Sequence, residues 1–256
     1  MSAPRTSFVL RQRSDVELRE LAVRLLQEYG SEVFGLTALF GLPLLTPLVL
    51  LPKESAWLVG FACWLMLPLL ELPALLILSR RVFGVEQTRK ETLVMVAQGL
   101  RPALWLRSWS APLVALCNIL PLMGGLFFSV RFPFLSEVTV LEHATAKEAR
   151  TRSRALTNFV NIPPATTALF TYMVVASVSD LGLRAGLGYV MSVHLGPAFL
   201  NGGSPQLFLL GLLFAAPMVS AHRYLSYVQA RMTAEGWDLR LDFETLASLM
   251  SERRTP

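Results

Sequence analysis

The sequence predicts an all-α fold: a polytopic membrane helix bundle of about six transmembrane helices in three hairpins, with cytosolic interfacial helices. Three observations lead there. Of 256 residues, 53% are apolar and only 16% charged, with mean hydropathy +0.50, against about 25% charged in an ordinary soluble domain. The apolar residues fall in runs near the ~20 residues that a helix needs to cross a bilayer. The basic residues stand between these runs and not on one patch, which makes them topology signals. That placement removes the nucleic-acid reading that a net charge of +5 invites.

Taken in order, residues 1–30 read as a cytosolic amphipathic N-terminal helix, 31–222 as the membrane domain and 223–256 as a cytosolic C-terminal tail. The spans fall at 34–52, 56–78, 103–120, 121–140, 159–178 and 205–222, with 179–204 an external segment broken by glycines. No apolar run starts before Val33, so a cleavable signal peptide is not expected and the first span itself directs the chain to the membrane. Cys63 and Cys117 sit in apolar runs without CxxC or CxxH spacing and read as buried hydrophobes.

The stretch 103–140 is ambiguous. It fits one span from Trp109 to Val130, or two short arms meeting near Asn118, Pro121, Gly124 and Gly125. Cytoplasmic flanks collect Lys and Arg, and the hairpin leaves only Lys53 and Arg184 of the 23 basic residues on the far side. Six crossings, with both termini cytosolic in a bacterial-type inner membrane, follow from that count. A re-entrant pair that does not fully cross satisfies it as well.

Three Ser/Thr-x-x-Glu boxes punctuate the cytosolic side, each able to satisfy two orphan N–H groups at a helix start. Ser14 and Glu17 precede an apolar face of Leu18, Leu21 and Leu25 closed by Gly30. Thr88 and Glu91 precede Val94, Ala97 and Leu100, closed by Gly99 and Pro102. Thr145 and Glu148 precede Ala149, Ser153 and Leu156. These helices are expected in the membrane interface, with Arg150, Arg152 and Arg154 toward headgroups or a partner protein.

At the other end, Arg223 to Met232 continues the last helix until Gly236 stops it. Trp237, Leu239, Leu241 and Phe243 then alternate with charged residues, a strand pattern. A lone strand is not stable in water, so these four are the candidate partner contact.

Glu71, between Pro68 and Pro73, is the one acidic residue deep in a confident span, roughly 10 Å from its inner end at about 1.5 Å per residue. An intramembrane carboxyl is a functional candidate. The structural alternatives are pairing with Arg107 or Arg131, or protonation. His143, His194 and His222 are scattered without metal-ligand spacing, and no Walker, dinucleotide or nucleophile-elbow motif occurs. Glu137 and Glu142, beside Arg131 and His143, look like an ordinary helix end. No catalytic residue, metal or cofactor is indicated.

Two stretches resemble a known family. Arg131, then Val140-Leu141-Glu142, then an EA-x-x-RS-x-x-L surface helix carried by Glu148, Ala149, Arg152, Ser153 and Leu156, resembles the membrane domain of YciC-like and glycerophosphodiester-phosphodiesterase-associated membrane proteins. The tail, with Glu235-Gly236-Trp237-Asp238, is similar to proteins neighbouring stage II sporulation protein M-like and MoxR-type ATPase systems. The match spans about a third of the chain. It implies a six-helix hairpin topology and no catalysis, since that family's phosphodiesterase chemistry belongs to a separate soluble domain.

The expectation is therefore a non-enzymatic integral membrane subunit. It would act as scaffold or assembly component of a multi-protein inner-membrane complex, contacting the lipid bilayer and other membrane proteins or its own copies. The alternative is a transporter or channel-like protein for a small or lipidic substrate. That reading needs a water-accessible path reaching Glu71, lined by Asn118, Asn161, Thr166, Thr167 and Thr171.

Overall fold

The computed structural model describes residues 13–49, 56–85, 88–116, 132–159, 174 and 207–236. Among the described residues there are six α-helices and no strand: α1 (Asp15–Val49), α2 (Ala56–Arg81), α3 (Arg89–Leu116), α4 (Leu135–Leu141), α5 (Ala146–Thr157) and α6 (Leu207–Glu235). The all-α class is as the sequence predicts. Among the described residues no helix is long and apolar enough to cross a membrane. The expected spans all fall partly or largely beyond the residues whose side chains are described, and the external segment 179–204 and the tail from Trp237 onward lie outside them altogether.

All three capping boxes form. The Ser14 N–H donates to Glu17 Oε2 at 3.2 Å and the Glu17 N–H returns to Ser14 Oγ at 3.3 Å. Thr88 and Glu91 exchange the same bonds at 3.0 and 3.4 Å. The Thr145 N–H and hydroxyl both donate to Glu148, at 3.0 and 2.7 Å, closing the third box. Each satisfies donors that a helix start otherwise leaves bare.

The expected ends of the first two boxed helices are corrected. Gly30 does not close the first, because α1 runs on through it to Val49. Gly99 and Pro102 lie inside α3. A helical glycine costs only about 1 kcal/mol relative to alanine, and packing on both sides of Gly30 outweighs that. The first two boxed segments thus prolong the long helices instead of forming separate surface helices. The buried face is as expected on α5, with Ala149, Ser153 and Leu156, and in large part on α1, with Leu18 and Leu25. On α3 it is rotated: Val94 is 55% exposed, while Thr92 and Val96 are buried.

Of the expected arm 121–140, residues 121–131 lie outside the described residues. Within the remainder the chain turns at Phe132–Phe134 and then enters α4. Pro133 lacks an N–H and restricts the residue before it, which suits the turn that precedes α4. The Phe134 N–H is taken instead by the buried Ser153 Oγ of α5 at 3.1 Å. At the far end of α4, His143 adopts φ 52°, the left-handed position that ends a helix. Gly236, at φ 59°, ends α6 where the sequence placed the stop.

Helix α6 is the hub, packing against α1, α2 and α5; α2 also packs on α1 and α3, and α4 on α3 and α5. One apolar core joins Leu18, Leu25 and Val33 of α1 and Leu75 and Leu78 of α2 to Phe134 before α4, Val138 of α4 and Leu225 and Val228 of α6. Polar contacts gather the charged segments at one end. The Arg13 N–H donates to Gln229 Oε1 at 3.1 Å, and the Gln229 amide donates back to the Arg13 carbonyl at 2.8 Å. His222 Nε2 lies 3.2 Å from Asp15, and Arg81 pairs with Glu32 at 3.1 Å.

The outward-facing positions of α1 change character along its length. Arg19, Glu20, Arg24, Gln27 and Glu28 are exposed in its first half together with Val16 and Val23; Gly35, Leu39, Leu42 and Pro43 are exposed beyond Glu32, with no charged residue among the described positions there. On α6, Phe214 is exposed, away from the charged end.

Where α1 crosses its neighbours, a Cβ on Gly41 would overlap Leu213 Cδ2 of α6 and sit 2.6 Å from Leu70 Cδ2 of α2. At Gly35 it would meet nothing within 4 Å. Gly41→Ala is therefore expected to lower stability by about 1–3 kcal/mol, whereas Gly35→Ala is neutral or stabilising by up to about 1 kcal/mol. Thermal unfolding of the two variants in mild detergent checks the contrast.

Candidate functional site

The site that sequence reasoning centred on Glu71 is a buried charge cluster where three helices meet. Glu71 comes from α2, Glu137 from α4 and Arg223 from α6. The Arg223 guanidinium donates from Nη2 to Glu71 Oε2 and to Ser136 Oγ, both at 2.7 Å, and from Nε to Glu137 Oε1. Ser136 Oγ in turn donates to Glu137 Oε2 at 3.1 Å. The side chains of Arg223, Glu71 and Glu137 are 11%, 4% and 0% exposed. Beside them, Ser220 Oγ donates to the Glu71 carbonyl at 3.0 Å, tying α6 to the proline-flanked turn of α2.

Two of these residues read differently in the sequence. Arg223 counts there only as a topology charge, and Glu137 as an ordinary helix end; neither position signals a partner 152 or 86 residues away in the chain. The one hint available was that Glu71 needs a cation. Arg107 and Arg131, the partners expected for it, lie outside the described side chains.

A second, more peripheral network surrounds Glu142. Tyr227 donates its hydroxyl to Glu142 Oε1, Arg152 donates from Nε to Oε2 at 2.6 Å, and Arg231 approaches Oε1 at 3.4 Å. Arg152 and Arg231 both reach Glu235 as well, Arg231 at 2.8 Å. The Arg231 guanidinium lies 5.7 Å from the Tyr227 ring centre. Burial, reinforced by the bond to Glu142, pushes the Tyr227 hydroxyl far above its usual range. Burial alone would raise the Glu235 carboxyl, but the bonds and charges of Arg231 and Arg152 hold it below its ordinary value.

Each residue of the EA-x-x-RS-x-x-L pattern has a structural task. Glu148 closes the cap with Thr145, whose bonds lower its carboxyl. Ala149 and Leu156 are buried, Arg152 bridges Glu142 and Glu235, and Ser153 holds the start of α4. Of the three candidate headgroup or partner arginines, Arg152 is therefore committed inside the fold, while Arg154 is exposed and Arg150 half-buried. Trp237, Leu239, Leu241 and Phe243, the candidate partner contact, lie outside the described residues. Among the described residues no three His, Cys, Asp or Glu side chains are grouped to hold a metal ion.

Chemically the cluster is a clamp. Its carboxylates accept from guanidinium and hydroxyl groups, and little of either is open to water.

No family model matches the chain, and neither a curated protein nor a solved structure gives a match.

Removing one member of a buried ion pair strands the other, at a cost of about 3–5 kcal/mol. Arg223→Met is expected to destabilise by that order, and combining it with Glu71→Gln and Glu137→Gln to recover most of the loss. Thermal melts of the single and triple variants in detergent measure both. The depressed Glu235 carboxyl adds a pH dependence. Its contribution is complete above the ordinary value of 4.5 and is lost as pH falls through the lower folded value. The melting temperature below pH 4.5 should therefore fall more steeply for the native chain than for Glu235→Gln.

Proposed function

We propose that this chain is a multi-pass membrane protein with its basic end in the cytosol, acting as a non-enzymatic scaffold or assembly subunit of an inner-membrane complex. The observation that carries the structural role is the commitment of its buried ionisable groups. Glu71, Glu137 and Arg223 are spent on one another across α2, α4 and α6, so these three groups hold helices together. The membrane reading draws support from the outer surface of α1, which turns from charged to apolar beyond Glu32. A chain with 53% apolar residues and exposed Leu39, Leu42 and Phe214 suits a lipid surround. The gathering of the charged segments at one end suits a single cytosolic face.

Transport is not the reading taken. It needs water to reach Glu71, which is 3% exposed and bonded to Arg223. The resemblance to YciC-like membrane proteins points the same way as the scaffold reading, and the tail around Trp237 remains the contact proposed for a partner membrane protein or a second copy.

The test has two parts. In a chain with Cys63→Ala and Cys117→Ala, single cysteines at positions 24, 90 and 154 are expected to react with an impermeant thiol reagent only from the cytosolic side, and one at 184 only from outside. Deleting residues 236–243 is expected to leave membrane insertion intact while abolishing co-purification or self-association in mild detergent. Labelling of both groups from one side refutes the topology, and a native chain that purifies as a lone monomer refutes the scaffold role.

A further inference from the structure

The outer face of α5 carries an unbalanced charge. Lys147, Arg150 and Arg154 follow at i, i+3 and i+7, within about 60° of one another around a helix of 3.6 residues per turn. The opposite side of α5 holds the buried Ala149, Ser153 and Leu156. The one acid of the helix, Glu148, is taken up by the Thr145 cap. Among the described residues none of the three basic groups has an ion-pair partner, whereas Arg19, Arg81, Arg152, Arg223 and Arg231 all do.

Like charges three and four positions apart repel on a helix, so the stripe calls for an explanation. The helix dipole accounts for Arg154 in the last turn. It disfavours Lys147 in the first turn and does nothing for Arg150 in the middle. A freely solvated face fits Lys147 and Arg154, which are exposed, but not Arg150. That residue is half-buried, and its Nε is enclosed with no hydrogen-bond partner among the described residues. The Nε end of its guanidinium is thus held against the fold.

A second observation concerns the same segment. Phe159, two residues past the end of α5, is 46% exposed, so a large apolar ring stays uncovered close in sequence to the basic residues. Basic side chains and an exposed aromatic within one short segment are the pattern of a segment seated at the boundary of headgroups and acyl chains.

We infer that Lys147, Arg150 and Arg154, with Phe159 following them in the same segment, form a binding site for anionic phospholipid headgroups. This deepens the membrane reading and rests on it. Three cations clustered in two turns meet a phosphate-bearing headgroup with charge complementarity, and the phenyl ring anchors the same segment in the apolar layer. Near a bilayer surface each such cation is worth about 1 kcal/mol, or roughly fivefold in affinity. Arg152 takes no part, because Glu142 and Glu235 already hold it.

The experiment uses the full chain in neutral mild detergent, titrated with phosphatidylglycerol or phosphatidylcholine and read by lipid retention and by the shift in melting temperature. The native chain is expected to retain phosphatidylglycerol in preference to phosphatidylcholine, and less of it as salt rises. K147Q/R150Q/R154Q is expected to weaken that binding by about tenfold or more. R24Q/R80Q/K90Q, which removes equal charge from exposed positions elsewhere, should stay within about twofold of the native chain on the same scale. Should the α5 triple variant fail to fold, K147Q/R154Q, altered only at exposed positions, is expected to show an intermediate loss.

Native-like retention by the α5 variants overturns the inference, as does an equal loss in the control, or saturation of the site by inorganic phosphate alone. Loss of a co-purifying protein with lipid retention unchanged assigns the face to a protein partner instead. An alkaline carbonate wash separates the two levels. A chain stripped from membranes fails the bilayer reading itself, while one that stays embedded and ignores the α5 substitutions fails this inference only.

Discussion

The arrangement of the bundle depends on one guanidinium. Arg223 sits where α2, α4 and α6 converge, and its planar fork of donors can serve several acceptors at once. It uses that capacity on Glu71, Glu137 and Ser136. Apolar side chains in the same place would attract one another from many directions and distances. The guanidinium accepts few. Sliding α6 by one turn, about 5.4 Å, would leave two carboxylates and a cation buried apart, so this contact fixes the register of α6 against α2 and the seat of α4 together.

Around that point the labour is divided. The apolar core supplies a general tendency to associate, which is largely indifferent to orientation. Polar bonds supply the geometry. Ser153 determines where α4 begins, the three capping boxes determine where α1, α3 and α5 begin, and the Glu142 network fastens α5 to the end of α6. The short α4–α5 pair is too small to be stable alone, and polar contacts tie it to α6 through Glu137, Glu142 and Arg152.

What was legible in the sequence followed the range of the signal. Capping boxes, the stop at Gly236 and the buried face of α5 are written within four to seven residues and came through. The face of α3 did not, because its apolar residues occur on more than one side and only contact with α2 and α4 decides which is covered. The continuity of α1 through Gly30 and of α3 through Pro102 was hidden for a similar reason: breakers weaken a helix locally, while the packing that overrides them comes from elsewhere in the chain. For the candidate site, Glu71 was visible as an anomaly of composition. Its partners were not, since nothing at Arg223 or Glu137 marks a contact across 152 or 86 residues.

That separation has a consequence in time. The Glu71 carboxyl is synthesised 152 residues before the Arg223 that neutralises it. At about 5–20 residues per second of synthesis it waits roughly 8–30 seconds for its partner. An unpaired carboxylate is not stable in an apolar interior. During that interval α2 must keep Glu71 in contact with water or carry it as the neutral acid, and the helix reaches its final surroundings only when the last part of the chain arrives. Biogenesis of this bundle therefore waits on α6, whose arrival lets α2 settle.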